Sequence, residues 1–255
     1  MEAWAGVVKE MQVEKSFLEN ARGERMAVAV YLPQGAAKST IVVSHGLEST
    51  KESQTYIELA KASTGLGARV VLFDHRGRGE SQGEFKDTTI ENRLEDLSLV
   101  VESLKLTEFG LLGSSYGGAV SLFFAASSKE VKALVLLAPA VPFPENSGVE
   151  HKKVLEAEKA VVTESGARLD WSFLEDWKSH SQQFPGLAKK ITAPTLIIQG
   201  KNDKSSLPKH SRKLYEELVN CDRELAEFAG EEHQLSEDAK VEAARLAANW
   251  FNEKL

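Results

Sequence analysis

The sequence predicts an α/β protein, a mostly parallel central sheet flanked by helices. Three observations predict it. Short β-branched runs recur along the chain, each followed by a turn and a stretch of helical period. Most of these runs are continuously apolar, as befits strands covered on both faces. Strand and helix alternate, which implies right-handed crossovers between parallel neighbours.

Taken in order, residues 26–32 (MAVAVYL) alternate and read as an outer strand. Residues 40–43 (TIVV), 69–73 (RVVLF), 109–112 (FGLL), 133–137 (ALVLL) and 195–199 (TLIIQ) are buried strands, and 223–228 (RELAEF) is the last one. Ile90, Leu94, Leu97, Val101 and Leu104 mark one apolar face of a helix. Residues 118–127 are small and apolar nearly all round, as a buried helix is. Leu235, Ala239, Ala243, Leu246 and Trp250 give an amphipathic closing helix.

Between residues 140 and 190 the rhythm breaks. The segment opens with VPFPENSG, continues into a predicted helix over 151–162, and then carries the aromatic stretch DWSFLEDW at 170–177. At roughly 50 residues it is marginal as an independent unit. It reads as a small helical cap inserted into a core formed by 1–139 and 191–255. An elaborated crossover without a lid role is the alternative.

A chain of 255 residues, 42% of them hydrophobic, fits one large domain, or one domain with an insertion. Its 31 basic and 38 acidic residues leave a net charge of −7, so no cationic surface points to nucleic acid or an anionic membrane as partner. No run reaches the ~18–20 apolar residues of a spanning helix, and the N-terminus lacks the apolar stretch of a signal peptide. A cytoplasmic protein is expected. The lone cysteine, Cys221, excludes an intrachain disulfide and a multi-cysteine metal site. Oligomeric state is not legible.

The chemistry concentrates at FGLLGSSYGG, residues 109–118. This is G-x-S-x-G between a buried strand and a small-residue helix. A nucleophile in so tight a turn needs near-absent side chains two residues to either side, which Gly113 and Gly117 provide. That spacing selects Ser115 over Ser114. The Tyr116 N–H, at the helix start, points where an oxyanion forms. A serine hydroxyl needs a base. Of six histidines, His233 stands after the last strand and before the closing helix. An imidazole that gains a proton needs an orienting acid. Asp203 follows the strand 195–199 directly, whereas Asp222 sits at the wrong end of the last strand and Asp238 lies within the closing helix. After the strand TIVV comes Ser44-His45-Gly46-Leu47; Gly46 permits unusual torsions, the Leu47 N–H is the second donor, and His45 reads as a loop organiser. The charged run 74–81 (DHRGRGES) lacks P-loop spacing and reads as a structural turn, in which Asp74 can pair with an arginine. No cofactor or metal is called for.

SHGL (44–47), DHRGRGES (74–81), GSSYGG (113–118), GKND (200–203) and GEEH (230–233) together resemble the α/β-hydrolase superfamily over nearly the whole chain. Within it the chain is similar to small prokaryotic serine esterases with a short cap, including the cinnamoyl/feruloyl type. The resemblance implies Ser115 as nucleophile, His233 as base, Asp203 as acid and the Leu47 and Tyr116 amides as oxyanion hole. Ser114 stands where histidine is frequent, and Lys-Ser-Ser-Leu-Pro follows the acid where an apolar residue and proline are common. A small acyl or aryl ester is the expected substrate. Peptidase or amidase, thioesterase and monoacylglycerol lipase activities use the same triad, and a non-catalytic binding protein is the remaining alternative. Haloalkane dehalogenation is disfavoured because position 115 is not aspartate. Phe143, Trp171, Phe173, Trp177 and Phe184 either line the substrate pocket or pack the cap onto the core.

Overall fold

The structure, a computed structural model, describes residues 11–146 and 152–255. Residues 1–10, where part of the signal-peptide reading falls, and 147–151, where the predicted 151–162 helix begins, lie outside the described residues.

A hairpin opens the fold: β1 (Gln12–Glu19) lies antiparallel on β2 (Arg25–Leu32). There follow β3 (Ser39–Ser44), α1 (Gln54–Gly65), β4 (Ala68–Phe73), α2 (Ile90–Ser103), β5 (Phe109–Ser114), α3 (Tyr116–Ser127) and β6 (Val131–Leu137). The segment after β6 contains β7 (Lys153–Leu155), β8 (Ala160–Val162), β9 (Arg168–Asp170) and α4 (Ser172–Gln183). The chain then returns through β10 (Thr195–Gly200), α5 (Pro208–Glu217), β11 (Arg223–Phe228) and α6 (Glu237–Lys254). The main sheet has eight strands in the order β1-β2-β4-β3-β5-β6-β10-β11. β2 runs antiparallel to both its neighbours; from β4 onward every pairing is parallel.

Alternate residues of one strand feed two cores. Ile41 and Val43 face α1 and α6, which pack on each other, while Val42 between them faces α2 and α3. This two-sided burial is why the strands are continuously apolar. Caps fix the helix starts: the Thr89 hydroxyl accepts from the Asn92 N–H at the head of α2, and the Ser236 hydroxyl from the Ala239 N–H at the head of α6.

The 140–190 segment departs from expectation. The described part of the predicted 151–162 helix is instead β7, a single 3₁₀ turn and β8, and with β9 these form a three-stranded antiparallel sheet. Val154, Val161 and Val162 are β-branched, and Lys159 turns the chain at φ 50°. Ala160, Val161 and Leu169 bury completely while Glu156 and Glu158 stay exposed. Among its described residues the segment is therefore a sheet plus a helix, not purely helical. Asp176 of α4 reaches across to the core, where its carboxylate accepts from the Ile90 N–H at 2.7 Å, at the head of α2.

Candidate active site

β5 ends at Ser114 and α3 begins at Tyr116, so Ser115 alone makes the turn. Its backbone sits at φ 50° and ψ −118°, a strained conformation for a residue with a side chain. Its N–H donates to the Leu137 carbonyl at 2.9 Å, and its carbonyl accepts from the Gly118 and Ala140 N–H groups. The turn leaves no room beside it. A Cβ on Gly117 would overlap the Ser44 carbonyl oxygen and lie 2.6 Å from that of His45; one on Gly113 would lie 2.6 Å from the Gly117 carbonyl. Both glycines are therefore required sterically.

Ser115 Oγ lies 3.0 Å from His233 Nε2, and His233 Nδ1 lies 2.8 Å from Asp203 Oδ2. Since the carboxylate only accepts, Nδ1 carries the ring proton and Nε2 is free to accept from the serine hydroxyl. Asp203 is fully enclosed, and each of its oxygens has two donors. Oδ1 accepts from the Ser205 and Ser206 N–H groups at 2.8 Å each; Oδ2 accepts from His233 and, at 3.1 Å, from Gln199 Nε2. Gln199 is itself buried, and its own carbonyl accepts from the Ser211 hydroxyl at 2.6 Å. Sequence reasoning missed Gln199; a glutamine closing an otherwise apolar strand was the available signal. The arrangement can take a proton from an attacking hydroxyl and hold the resulting imidazolium against a fixed carboxylate. Asp222 instead pairs with Lys254 on the surface, and Asp238 is exposed on α6.

Around Ser115 lies a cavity of about 630 Å³, at the carboxyl ends of the parallel strands. Leu47, Tyr116 and His233 line it, and so do Glu48, Lys152, Thr163 and Lys240. The helix that starts at Tyr116 directs its N-terminal end toward Ser115. Of the five aromatic residues singled out in the sequence, Trp177 lies in the wall. Phe173 and Trp177 stack on the Tyr116 ring at 5.5 and 5.9 Å between centroids. Phe184 packs edge-on against Phe123 and Phe143. Trp171 lies under the Lys159 ammonium, half-buried. Phe173 and Phe184 are thus buried against rings of α3 and Phe143 against Phe184, and with Trp171 all three stand outside the wall.

The 74–81 turn is a closed structural network. Asp74 pairs with Lys51, not with an arginine: Asp74 Oδ2 accepts from Lys51 Nζ at 2.9 Å and Oδ1 from the Lys51 N–H at 2.7 Å. Arg76 pairs with Asp96, whose other oxygen lies 3.2 Å from His75 Nδ1. His45 accepts the His75 N–H on Nε2 and donates from Nδ1 to the Gly46 carbonyl at 2.7 Å. It organises the loop that bears Leu47.

Among the described residues no helix is long and apolar enough to cross a membrane.

The family model described as "Serine aminopeptidase, S33" matches residues 35–165 and 166–240. The chain is 27% identical over 254 residues to the Mus musculus protein named monoglyceride lipase, covering 86% of this chain and 82% of that one. It is 25% identical over 270 residues to the Mycolicibacterium smegmatis protein named monoacylglycerol lipase, covering 90% of this chain and 92% of that one. The solved structure of Est1E from Butyrivibrio proteoclasticus with ferulic acid bound superposes with a TM-score of 0.81 at 20% identity, over 94% of this chain and all 100% of that one. That likeness is one of fold.

Proposed function

The chain belongs to the serine aminopeptidase S33 family, and on that premise we propose that this α/β-hydrolase cleaves carboxylic esters through Ser115, His233 and Asp203. One observation carries the reading: three side chains far apart in the sequence meet within hydrogen-bond distance, 3.0 Å from Ser115 to His233 and 2.8 Å from His233 to Asp203. In the reading, His233 takes the hydroxyl proton as Ser115 Oγ attacks the ester carbonyl. The tetrahedral oxyanion rests on the Leu47 and Tyr116 amides. Collapse of that adduct breaks the ester C–O bond, and His233 returns its proton to the departing alcohol. Water, deprotonated by the same imidazole, then releases the acid from Ser115.

The segment between β6 and β10 acts as the cap, and Trp177 is the aromatic that meets substrate. A wall that holds Glu48, Ser49, Thr163, Lys204 and Lys240 as well as Leu47, Trp177 and Leu235 favours a compact ester with polar groups over a long bare acyl chain. The names of the curated relatives support ester cleavage; the family description keeps a peptide amide as the rival. Hydrolysis of p-nitrophenyl esters of graded chain length, methyl hydroxycinnamates, a monoacylglycerol and aminoacyl anilides decides between them. The expected outcome is kcat/KM highest on short or aryl esters and lowest on anilides. Turnover of anilides alone contradicts the proposal.

A further inference from the structure

Arg93 is almost wholly buried, projects from α2, and spends its hydrogen bonds on backbone carbonyls instead of on a carboxylate. Nη1 donates to the carbonyls of His45 and Gly46 at 3.0 and 3.2 Å, and Nη2 to that of Leu47 at 2.8 Å. Three consecutive carbonyls of one loop are thus turned toward one guanidinium. The same group lies 5.1 Å from the centroid of the Tyr116 ring. One side chain therefore holds the backbone that carries one candidate oxyanion donor and packs on the ring of the residue that carries the other.

No peptide bond among the described residues is cis. In a trans peptide the carbonyl and the N–H point in opposite directions. The Gly46 carbonyl and the Leu47 N–H belong to one peptide, so fixing the carbonyl on Arg93 fixes the N–H on the opposite side. Gly46 and Leu47 line the cavity around Ser115, and a Cβ placed on Gly46 would lie 3.4 Å from the Ser115 Cβ. His45 Nδ1 donates to the same Gly46 carbonyl and holds the peptide from a second direction.

We propose that Arg93 is a positioning residue for the oxyanion hole: by holding the carbonyls of His45, Gly46 and Leu47 it aims the Leu47 N–H at the oxyanion formed on Ser115. The inference rests on the ester-hydrolase reading above. Burial brings the guanidinium down to about 10, still cationic at neutral pH. Its charge, unmatched by a bonded carboxylate, adds positive potential to the loop as negative charge develops on the substrate.

The test compares wild type, Arg93→Ala and Arg93→Lys for kcat, KM, thermal stability and affinity for an arylboronic acid, which forms a tetrahedral adduct on a nucleophilic serine. Removal of one oxyanion donor typically costs about 10²–10³ in kcat. For folded Arg93→Ala the expected result is a kcat at least about tenfold lower with KM changed much less. Boronate affinity should fall in parallel, and added guanidinium should restore part of kcat. If Arg93→Ala does not fold, Arg93→Lys carries the test: an ammonium keeps the charge but lacks the fork that spans three carbonyls, so kcat should again fall with KM held. Wild-type kcat in folded Arg93→Lys, or lowered kcat with undiminished boronate affinity, overturns the proposal. Ser115→Ala, run alongside, separates the two levels. If it abolishes turnover while the Arg93 variants behave as wild type, Arg93 alone has been misread. If Ser115→Ala retains turnover, the hydrolase mechanism itself fails.

Discussion

Asp203 Oδ2 and His233 Nδ1 stand 2.8 Å apart on the turns that follow β10 and β11. Those strands pair in parallel, with Gly200 opposite Phe228, so their two ends are level. The acid and the base are thus brought together by strand register. A Cβ on Gly200 would lie 2.6 Å from the Glu232 carbonyl, so the loop bearing His233 sits directly on the end of β10.

Asp203→Asn tests the contact. The amide keeps the shape but can present an N–H to Nδ1, favouring the tautomer that cannot accept from Ser115. A fall in kcat of about 10³–10⁴-fold with KM little changed is expected from steady-state hydrolysis of p-nitrophenyl acetate. Near-normal kcat would remove Asp203 from the mechanism.

Gly117→Ala tests the turn. The added methyl meets the carbonyl oxygens of Ser44 and His45, which are backbone and cannot swing aside. A loss of about 1–3 kcal/mol in urea unfolding is expected, together with reduced kcat because the displaced strand end carries the Leu47 loop. An unaltered urea midpoint would mean the turn has slack that its geometry does not show.

Lys51→Met tests the network beneath the site. The Lys51 side chain is 2% exposed and Asp74 is 0% exposed. Against the desolvation that burial imposes, the hydrogen bonds it donates to Glu80 and Asp74 hold the ammonium above its ordinary value. Removing one partner leaves a buried, underpaired carboxylate and should cost about 3 kcal/mol or more. Lys51→Met/Asp74→Asn should recover part of that loss in the same denaturation assay; a double variant worse than the sum of the singles contradicts the pairing.

His45 and His75 set a pH dependence of stability. Burial, with the nearby Arg93 charge, pulls His75 from 6.5 to about 4 against the pull of Asp96, and burial with the neighbouring His75 pulls His45 well below 6.5. Both rings stay neutral in the fold where the unfolded chain takes up protons. The unfolded state then binds more protons between about pH 4 and 6.5, so stability rises with pH there, by up to about 1.4 kcal/mol per unit for each ring. His180 acts in the opposite sense and in a different window. Burial opposes its charge, but Asp176 raises it above 6.5, so its contribution is present below 6.5 and lost as pH climbs through the raised value. Urea midpoints should climb from about pH 4.5 to 6.5. A flat profile would show that the rings are not held neutral.

Strands with two covered faces were readable because both faces demand apolar residues, as in β3 through β6 and β10. β1 was not. Its residues QVEKSFLE are almost all exposed, and what makes them a strand is the ladder to β2. α5 (PKHSRKLYEE) hides likewise, with His210, Ser211 and Leu214 as its buried face. The 151–162 stretch misled because its acids, lysines and alanines favour helix locally. Tertiary burial of Val161 in the hydrophobic core, with Ala160 enclosed beside it, overrides that preference. In the candidate site, Ser115, Asp203 and His233 were legible because strand-end turns impose local spacing rules. Arg93 and Gln199 were not, since each acts on backbone or carboxyl atoms of a distant loop, and no local pattern reports which carbonyl a buried guanidinium will meet.

Reaction with a fluorophosphonate probe, followed by intact mass and by ester turnover in wild type and Ser115→Ala, addresses the mechanism most directly. Wild type should gain a single phosphonyl adduct and lose activity in proportion. Ser115→Ala, folded to the same melting temperature, should take up no adduct and lose several orders of magnitude in kcat, leaving only the residual rate of binding and oxyanion stabilisation. An adduct on the Ser115→Ala protein, or turnover close to wild type, would place the nucleophile elsewhere.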